Sequence, residues 1–279
     1  MKKYIFLLLL MFINISLFAQ TEDILLAGVP LTFGEEDFIE RIEERTGGQR
    51  EPIGLVLSGG SARAFAHIGL LRLMEEEGIV PDFIIRNSMG SIIALLYGAG
   101  LSPDQIEESI LSVNISELFD ISLPLNTGVL DSEKFKSFLR EFLTDLLETD
   151  DILIEDLEIP TLVVCEDLIT KRPVLVCEGD YFSVFEASFA LPVYFGSVEY
   201  EGCRLIDGGI ANLVPLDFAY RYTNTNIVST TFYAGAGLNY KNPLTGLNIS
   251  FDIGKRRQGI SELLDHPDAL WIRCNVEDY

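Results

Sequence analysis

The chain has 279 residues, 43 acids against 20 lysines and arginines, and a formal net charge of −23. Its 48% hydrophobic and 10% aromatic content excludes a disordered or low-complexity protein, and its length suffices for a substantial core. So negative a field argues against a nucleic-acid partner, because every phosphate contact needs a cation.

Residues 1–19 read as a cleaved export signal. Lys2 and Lys3 precede an apolar run from Tyr4 to Ile13, and Asn14 and Ser16 lead to the small residue Ala19. An uncleaved anchor is the alternative, but the run is short for a membrane span and polar residues follow it. The expectation is an exported protein: periplasmic, outer-membrane associated or secreted. Residues 20–51 read as an acidic lead-in with one short helix.

Ile53–Leu57 is an apolar run too short for a helix and closed by Ser58-Gly59-Gly60, the pattern of a buried strand. Ala64, His67, Ile68, Leu71 and Met74 then fall at helical spacing, with Gly78 as the stop. A second short strand, IVPDFIIR, runs into the helical SMGSIIALLYGAG. Strand, glycine turn, helix, strand, sharp turn, helix is the beginning of a parallel α/β sheet. Residues 101–160 are acidic and helical, with Ser102 capping one helix and Phe135, Phe138, Leu139, Phe142 and Leu146 on one face of another. Strands return from Thr161, and 268–276 (DALWIRCNV) reads as the last. The cluster 255–258 (KRRQ) reads as a solvated turn, with docking on anionic headgroups as the alternative. No repeat or flexible hinge interrupts the chain, so one domain is expected.

The chain has four cysteines, no CxxC pair and only two histidines, which argues against a His/Cys zinc site. Cys165 and Cys177 lie in two strand-like runs around a turn near Lys171, and counting outward from it sets them opposite each other. A cross-strand disulfide and two buried thiols are both open. His67 reads as a packing histidine, His266 as a surface or turn residue, and Phe182, Phe185, Phe189, Tyr194 and Phe195 as either acyl-groove lining or core.

Three elements carry chemistry. Ser88 stands between a strand and a helix, where a tight turn exposes its oxygen and the helix start favours developing negative charge. Such an elbow wants small residues two positions before and after the serine; Gly90 meets the demand and Arg86 does not. Gly59-Gly60-Ser61-Ala62-Arg63 follows the first strand and can aim backbone N–H groups at an oxyanion. It lacks the signatures of a dinucleotide or phosphate loop. Asp207, before Gly208-Gly209, could serve as base to Ser88 by a direct hydrogen bond; alone it would read as an Asx turn.

Together these pieces resemble the patatin-like phospholipases, α/β lipid acyl hydrolases that use a Ser-Asp dyad. GGSARA at 59–64 is similar to the family's GGGxRG loop, RNSMG at 86–90 to its GxSxG elbow, ASFALP at 187–192 to its ASxAxP stretch, and DGGIANLVP at 207–215 to its DG[GA] motif. The resemblance covers residues 52–220, with 221–279 completing the same domain. It implies a three-layer α/β/α fold with a mostly parallel central sheet. It also implies Ser88 as nucleophile and Asp207 as base, and an oxyanion hole from Gly60, Ser61 and Ala62 with Met89 from the elbow. Gly59, Arg63, Gly90, Gly208, Gly209 and Asn212 would support them. The expected substrate is a lipid or other acyl ester, with peripheral membrane contact in view and no metal or organic cofactor required. The sequence departs from the family pattern at Ser61, Ala64 and Arg86. Arg86 could lie along the elbow, pair with an acid, hold a substrate phosphate or block Ser88. A silent binding protein and an acyltransferase remain the alternatives.

Overall fold

The computed structural model of the chain describes residues 26, 28–112, 120–121, 130–131, 133–233 and 243–276. The expected export segment and the side chain of Phe135 lie outside them.

The first unit departs from the expected lead-in. Leu31–Phe33 is a strand, β1, and Glu35–Thr46 a 12-residue helix, α1, closed by Gly47 in the left-handed conformation. Then come β2 (Ile53–Leu57), a 3₁₀ turn (Ser61–Ala66), α2 (His67–Glu76), β3 (Phe83–Arg86), α3 (Gly90–Gly98) and α4 (Pro103–Leu111). Ser102 and Gln105 cap α4 reciprocally, and Pro103 takes its first position, as the sequence predicts. Beyond β4 (Asp120–Ile121) and β5 (Leu130–Asp131) follow α5 (Glu133–Leu147), β6 (Thr161–Asp167), β7 (Pro173–Val176), α6 (Tyr181–Phe189), β8 (Val198–Tyr200) and β9 (Cys203–Asp207). The chain closes with α7 (Leu216–Ala219), β10 (Thr225–Thr230), α8 (Pro243–Asp265) and β11 (Leu270–Arg273).

The main sheet runs β1-β7-β6-β3-β2-β10-β11, with β9 on β6 and β8 on β9. It is mostly parallel; β7 and β9 each pair antiparallel with β6, and β8 with β9. Period-two alternation divides each central strand between two cores. Leu55, Leu57, Ile84, Val163 and Cys165 face α2 to α6, and Val56, Phe83, Ile85, Leu162 and Val164 face α1, α7 and α8. Helices on both faces of a sheet buried on both sides give the three-layer α/β/α architecture. Helix α3 is buried at all nine positions, which suits its composition of small and apolar residues.

Two expectations are corrected. Residues 255–258 are the middle of the 23-residue helix α8, not a turn. Cys165 and Cys177 are buried free thiols, one of the two readings the sequence left open, and it is their expected cross-strand facing that fails. The β6–β7 register sets Cys165 against Val174 and Val163 against Val176, so Cys177 lies past the partner of Val163. The Asp167 carboxylate closes the hairpin early by accepting from the Ile169 and Thr170 N–H groups at 3.2 and 2.8 Å. The two thiols end in different cores on opposite faces of the sheet.

Arg86 departs most from what its chemistry prefers. The alternation that sends Ile84 into the larger core sends Arg86 there too, where it is wholly buried. None of its three guanidinium nitrogens has a hydrogen-bond partner among the described residues. The Tyr181 ring, 5.4 Å from the guanidinium carbon, is its recorded cation–π contact. Burial lowers its pKa accordingly. An unpaired cation in a dry core costs far more than a chain of similar length without charge. Arg86→Met is therefore expected to raise unfolding free energy by about 1–4 kcal/mol, read from urea denaturation. A less stable variant would show that the guanidinium contributes more than it costs.

Candidate active site

Strand β6 organises the site. Its first half pairs with β3, Arg86 standing opposite Val163. Its second half, along the same edge, pairs with β9, Asp207 standing opposite Cys165. Because β3 runs parallel to β6 and β9 antiparallel, their C-terminal ends point at each other. Ser88 leaves the end of β3 and Asp207 ends β9, and the Ser88 hydroxyl donates to Asp207 Oδ2 at 2.8 Å.

Each side chain is held by its backbone. Ser88 has φ 52°, the left-handed conformation that side chains other than glycine and asparagine rarely adopt, at the strand-to-helix turn expected of an elbow. Its carbonyl accepts from Ser91 N–H at 2.9 Å, the first turn of the helix behind it. Asp207 is buried, its Oδ1 accepts from Gly209 N–H at 2.8 Å, and its own N–H donates to Ala190 at 3.2 Å. A Cβ on Gly208 would run into the Val164 carbonyl, so only glycine lets the chain turn this close to β6. Burial raises the Asp207 pKa, against the opposing pull of the Lys255 charge and of the Gly209 and Ser88 hydrogen bonds.

The glycine-rich loop abuts this pair. A Cβ on Gly59 would stand 2.9 Å from Asn87 Oδ1 and 3.3 Å from Ser88 Cβ, and one on Gly60 would collide with Thr231 Oγ1. Gly59 N–H is taken by the Leu213 carbonyl at 3.1 Å. The next N–H groups, of Gly60, Ser61 and Ala62, open the 3₁₀ turn, where a helix start has no acceptor of its own. Met89 stands at the equivalent position before α3. Ser61, where the family pattern has glycine, sits at φ 54°, so its substitution for glycine carries strain. Arg63 lies over the Tyr233 ring at 4.9 Å.

Arg86 does none of the things open to it from the sequence. It runs down into the core, away from solvent and without an acid partner among the described residues, and does not lie over Ser88. The elbow tolerates it because its side chain leaves on the sheet's core face.

Several supporting groups were not legible. Asn87, next to Ser88, donates to the Asn212 carbonyl, and the Asn212 amide donates to Glu166 at 2.6 Å. Glu166 is largely buried, which pushes its pKa to about 7. Ser188, in the ASFALP stretch, bonds Ser91 Oγ at 2.7 Å and lies 3.3 Å from the Ser88 carbonyl. His67 is the satisfied packing histidine expected. Its Nε2 donates to the Ser58 carbonyl at 2.9 Å, Ser229 Oγ sits 2.7 Å from Nδ1, and burial lowers its pKa to about 4. His266 stacks on Tyr220 and meets Asp217 at 2.8 Å. Phe182, Phe185 and Phe189 line a cavity of about 300 Å³ between α5 and α6, with Leu139, Lys136 and Arg140 opposite. Phe195 packs edge-on against Phe189, whereas the Tyr194 hydroxyl meets Asn248.

Comparison with known proteins bears on this geometry. An uncharacterized NTE family protein of Mycobacterium tuberculosis is 30% identical over 175 residues, spanning 62% of this chain and 47% of that one. Patatin-like phospholipase domain-containing protein 6 of Homo sapiens is 31% identical over 176 residues, 60% of this chain and 12% of that one. The chain thus spans less than half the length of these relatives. VipD from Legionella pneumophila shares the fold, with a TM-score of 0.53 at 14% identity over 72% of this chain and 53% of that one. A family model for patatin-like phospholipases matches residues 55–220, from the first central strand past the loop after Asp207, and the chain belongs to that family.

Proposed function

We propose that the chain is a serine acyl hydrolase that cleaves carboxylic esters of lipids through Ser88 and Asp207. The observation that carries this reading is the 2.8 Å hydrogen bond from the Ser88 hydroxyl to Asp207, made at an elbow held in the left-handed conformation. Asp207 takes the proton as Ser88 Oγ attacks the ester carbonyl. The N–H groups of Gly60, Ser61 and Ala62, with Met89 from the helix start, meet the oxyanion. Asp207 returns the proton to the departing alcohol. Water then attacks the acyl-enzyme, again deprotonated by Asp207, and releases the fatty acid and free Ser88.

Family membership supports ester chemistry on lipids, and a 25% identical relative in Drosophila melanogaster carries the name neuropathy target esterase. The phenylalanine-lined cavity beside α6 suits an acyl chain, and its rim carries Arg140 beside the Lys136–Glu186 ion pair at 2.5 Å. Export through residues 1–19 and peripheral contact with a membrane belong to the same proposal.

Labelling of the protein with a fluorophosphonate probe tests the dyad. Wild type is expected to label, Ser88→Ala not at all, and Asp207→Asn about 10²–10⁴-fold more slowly. A labelled Ser88→Ala would remove Ser88 from the reaction.

The pH profile follows from the raised Asp207 pKa. Reaction needs the ionised base, so activity falls on acidification with a limb above the ordinary aspartate value near 3.8. The stability contribution of this group has the opposite sense: the fold favours the protonated form, so it is greatest below the ordinary value and declines as pH rises through the raised one. An acid limb at or below the ordinary value, measured as ester hydrolysis against pH, would contradict burial as the dominant influence.

Ser61→Gly removes a non-glycine residue from φ 54°. It is expected to raise stability by about 1–2 kcal/mol and to retain labelling. Loss of labelling with unchanged stability would assign a role to the Ser61 hydroxyl.

A further inference from the structure

Helix α8 lies outside residues 55–220, which match the family model, yet one of its faces runs along the loop that follows Asp207. Gln258 Oε1 accepts from Leu213 N–H at 3.2 Å. Glu262, buried, accepts from Leu216 N–H at 2.8 Å and Asp217 N–H at 3.2 Å. Gly259 allows the approach, since a Cβ there would stand 2.8 Å from Val214 Cγ2. His266, one turn on, meets Asp217. Residues 255, 258, 259 and 262 share one face of α8.

What Gln258 holds is the peptide between Asn212 and Leu213. The carbonyl on one side of that peptide accepts from Asn87, the neighbour of Ser88. The Leu213 carbonyl accepts from Gly59 N–H in the oxyanion loop at 3.1 Å. The elbow and the glycine loop therefore both hang on a segment whose own N–H is anchored to α8.

We propose that α8 is a positioning element for the dyad: Gln258 fixes the 212–213 peptide, whose carbonyl holds the elbow and whose successor, the Leu213 carbonyl, holds the oxyanion loop. The inference rests on Ser88 and Asp207 being the reacting pair. Gln258 does not touch substrate; it acts through the loop. A misplacement of about 1 Å by a change far from the chemistry can slow reaction about 10²-fold.

The test uses the full chain with Gln258→Ala and with Gln258→Glu, which keeps an acceptor oxygen. Gln258 is half-buried, so its truncation is expected to leave the melting temperature close to that of wild type. Gln258→Ala is expected to lower kcat for a short-chain p-nitrophenyl ester and the fluorophosphonate labelling rate about tenfold, with KM nearly unchanged, and Gln258→Glu to recover most of both.

Amide hydrogen exchange supplies a readout independent of activity. In Gln258→Ala, exchange is expected to rise in 208–217 and, through the Leu213 and Asn212 carbonyls, in 59–62 and 87–91. Unchanged kcat and labelling in Gln258→Ala, or a rate loss that merely tracks a fall in melting temperature, would overturn the proposal. If wild type itself neither labels nor hydrolyses esters, the reading of the dyad fails. Exchange still judges the anchoring, and faster exchange confined to 208–217 would sink it.

Discussion

The site depends on one strand serving two partners along the same edge. A β-strand offers one row of N–H and C=O groups per side, and the β3 side of β6 is divided: its first residues pair with β3, its last with β9. β3 therefore has to stop where β9 begins, and the two chain ends are forced together. Hydrogen bonding of the ladder fixes both ends at once, so Ser88 and Asp207 meet although 119 residues separate them. Glycine at 208 is the other half of this constraint, because β9 turns away directly against the β6 backbone.

Several costly conformations and charges meet around that junction. Ser88 and Ser61 both occupy the left-handed region, and Arg86 lies buried without a hydrogen-bond partner among the described residues. Asp207 is buried and resists ionisation. Each costs free energy, and each persists because the surrounding network over-determines it. Ser188 and Ser91 hold the start of α3, while Asn87 and Asn212 tie the elbow to the loop beyond Asp207. The sheet behind them is buried on both faces and moves little.

Electrostatics gives the C-terminal helix a second meaning. In a chain with net charge −23, a buried aspartate at the junction would be pushed toward its neutral form by burial and by the mean field alike. The dense basic stretch at 255–257 lies in the helix that packs against the loop after Asp207, and the field of Lys255 opposes that push. Glu262, on the same face, pays for its burial with a pKa raised to about 8, helped upward by Asp217 and Asp265, while it caps the N–H groups of Leu216 and Asp217.

What the sequence determined by itself is local. Apolar runs too short for helices, glycine turns after them and apolar residues at helical spacing established the parallel α/β beginning, and the capping pattern at Ser102 located α4. The residue types at 59–64, 86–90 and 207–209 marked the candidate site, because tight turns at strand ends restrict which side chains fit. Tertiary structure decided what depends on register and on partners distant in the chain. The sequence suggested that Cys165 and Cys177 face each other; the Asp167 turn shifts the hairpin and sends them to opposite faces. Residues 31–33 carry no clear strand signal and become β1 only because β7 offers an open edge. Helix α8 contains three glycines and little intrinsic helical preference, and its packing on the loop after Asp207 outweighs that deficit. Arg86 is polar by identity and buried by alternation, since a strand residue takes the face its neighbours assign and a sheet covered on both sides leaves no solvent for it to reach.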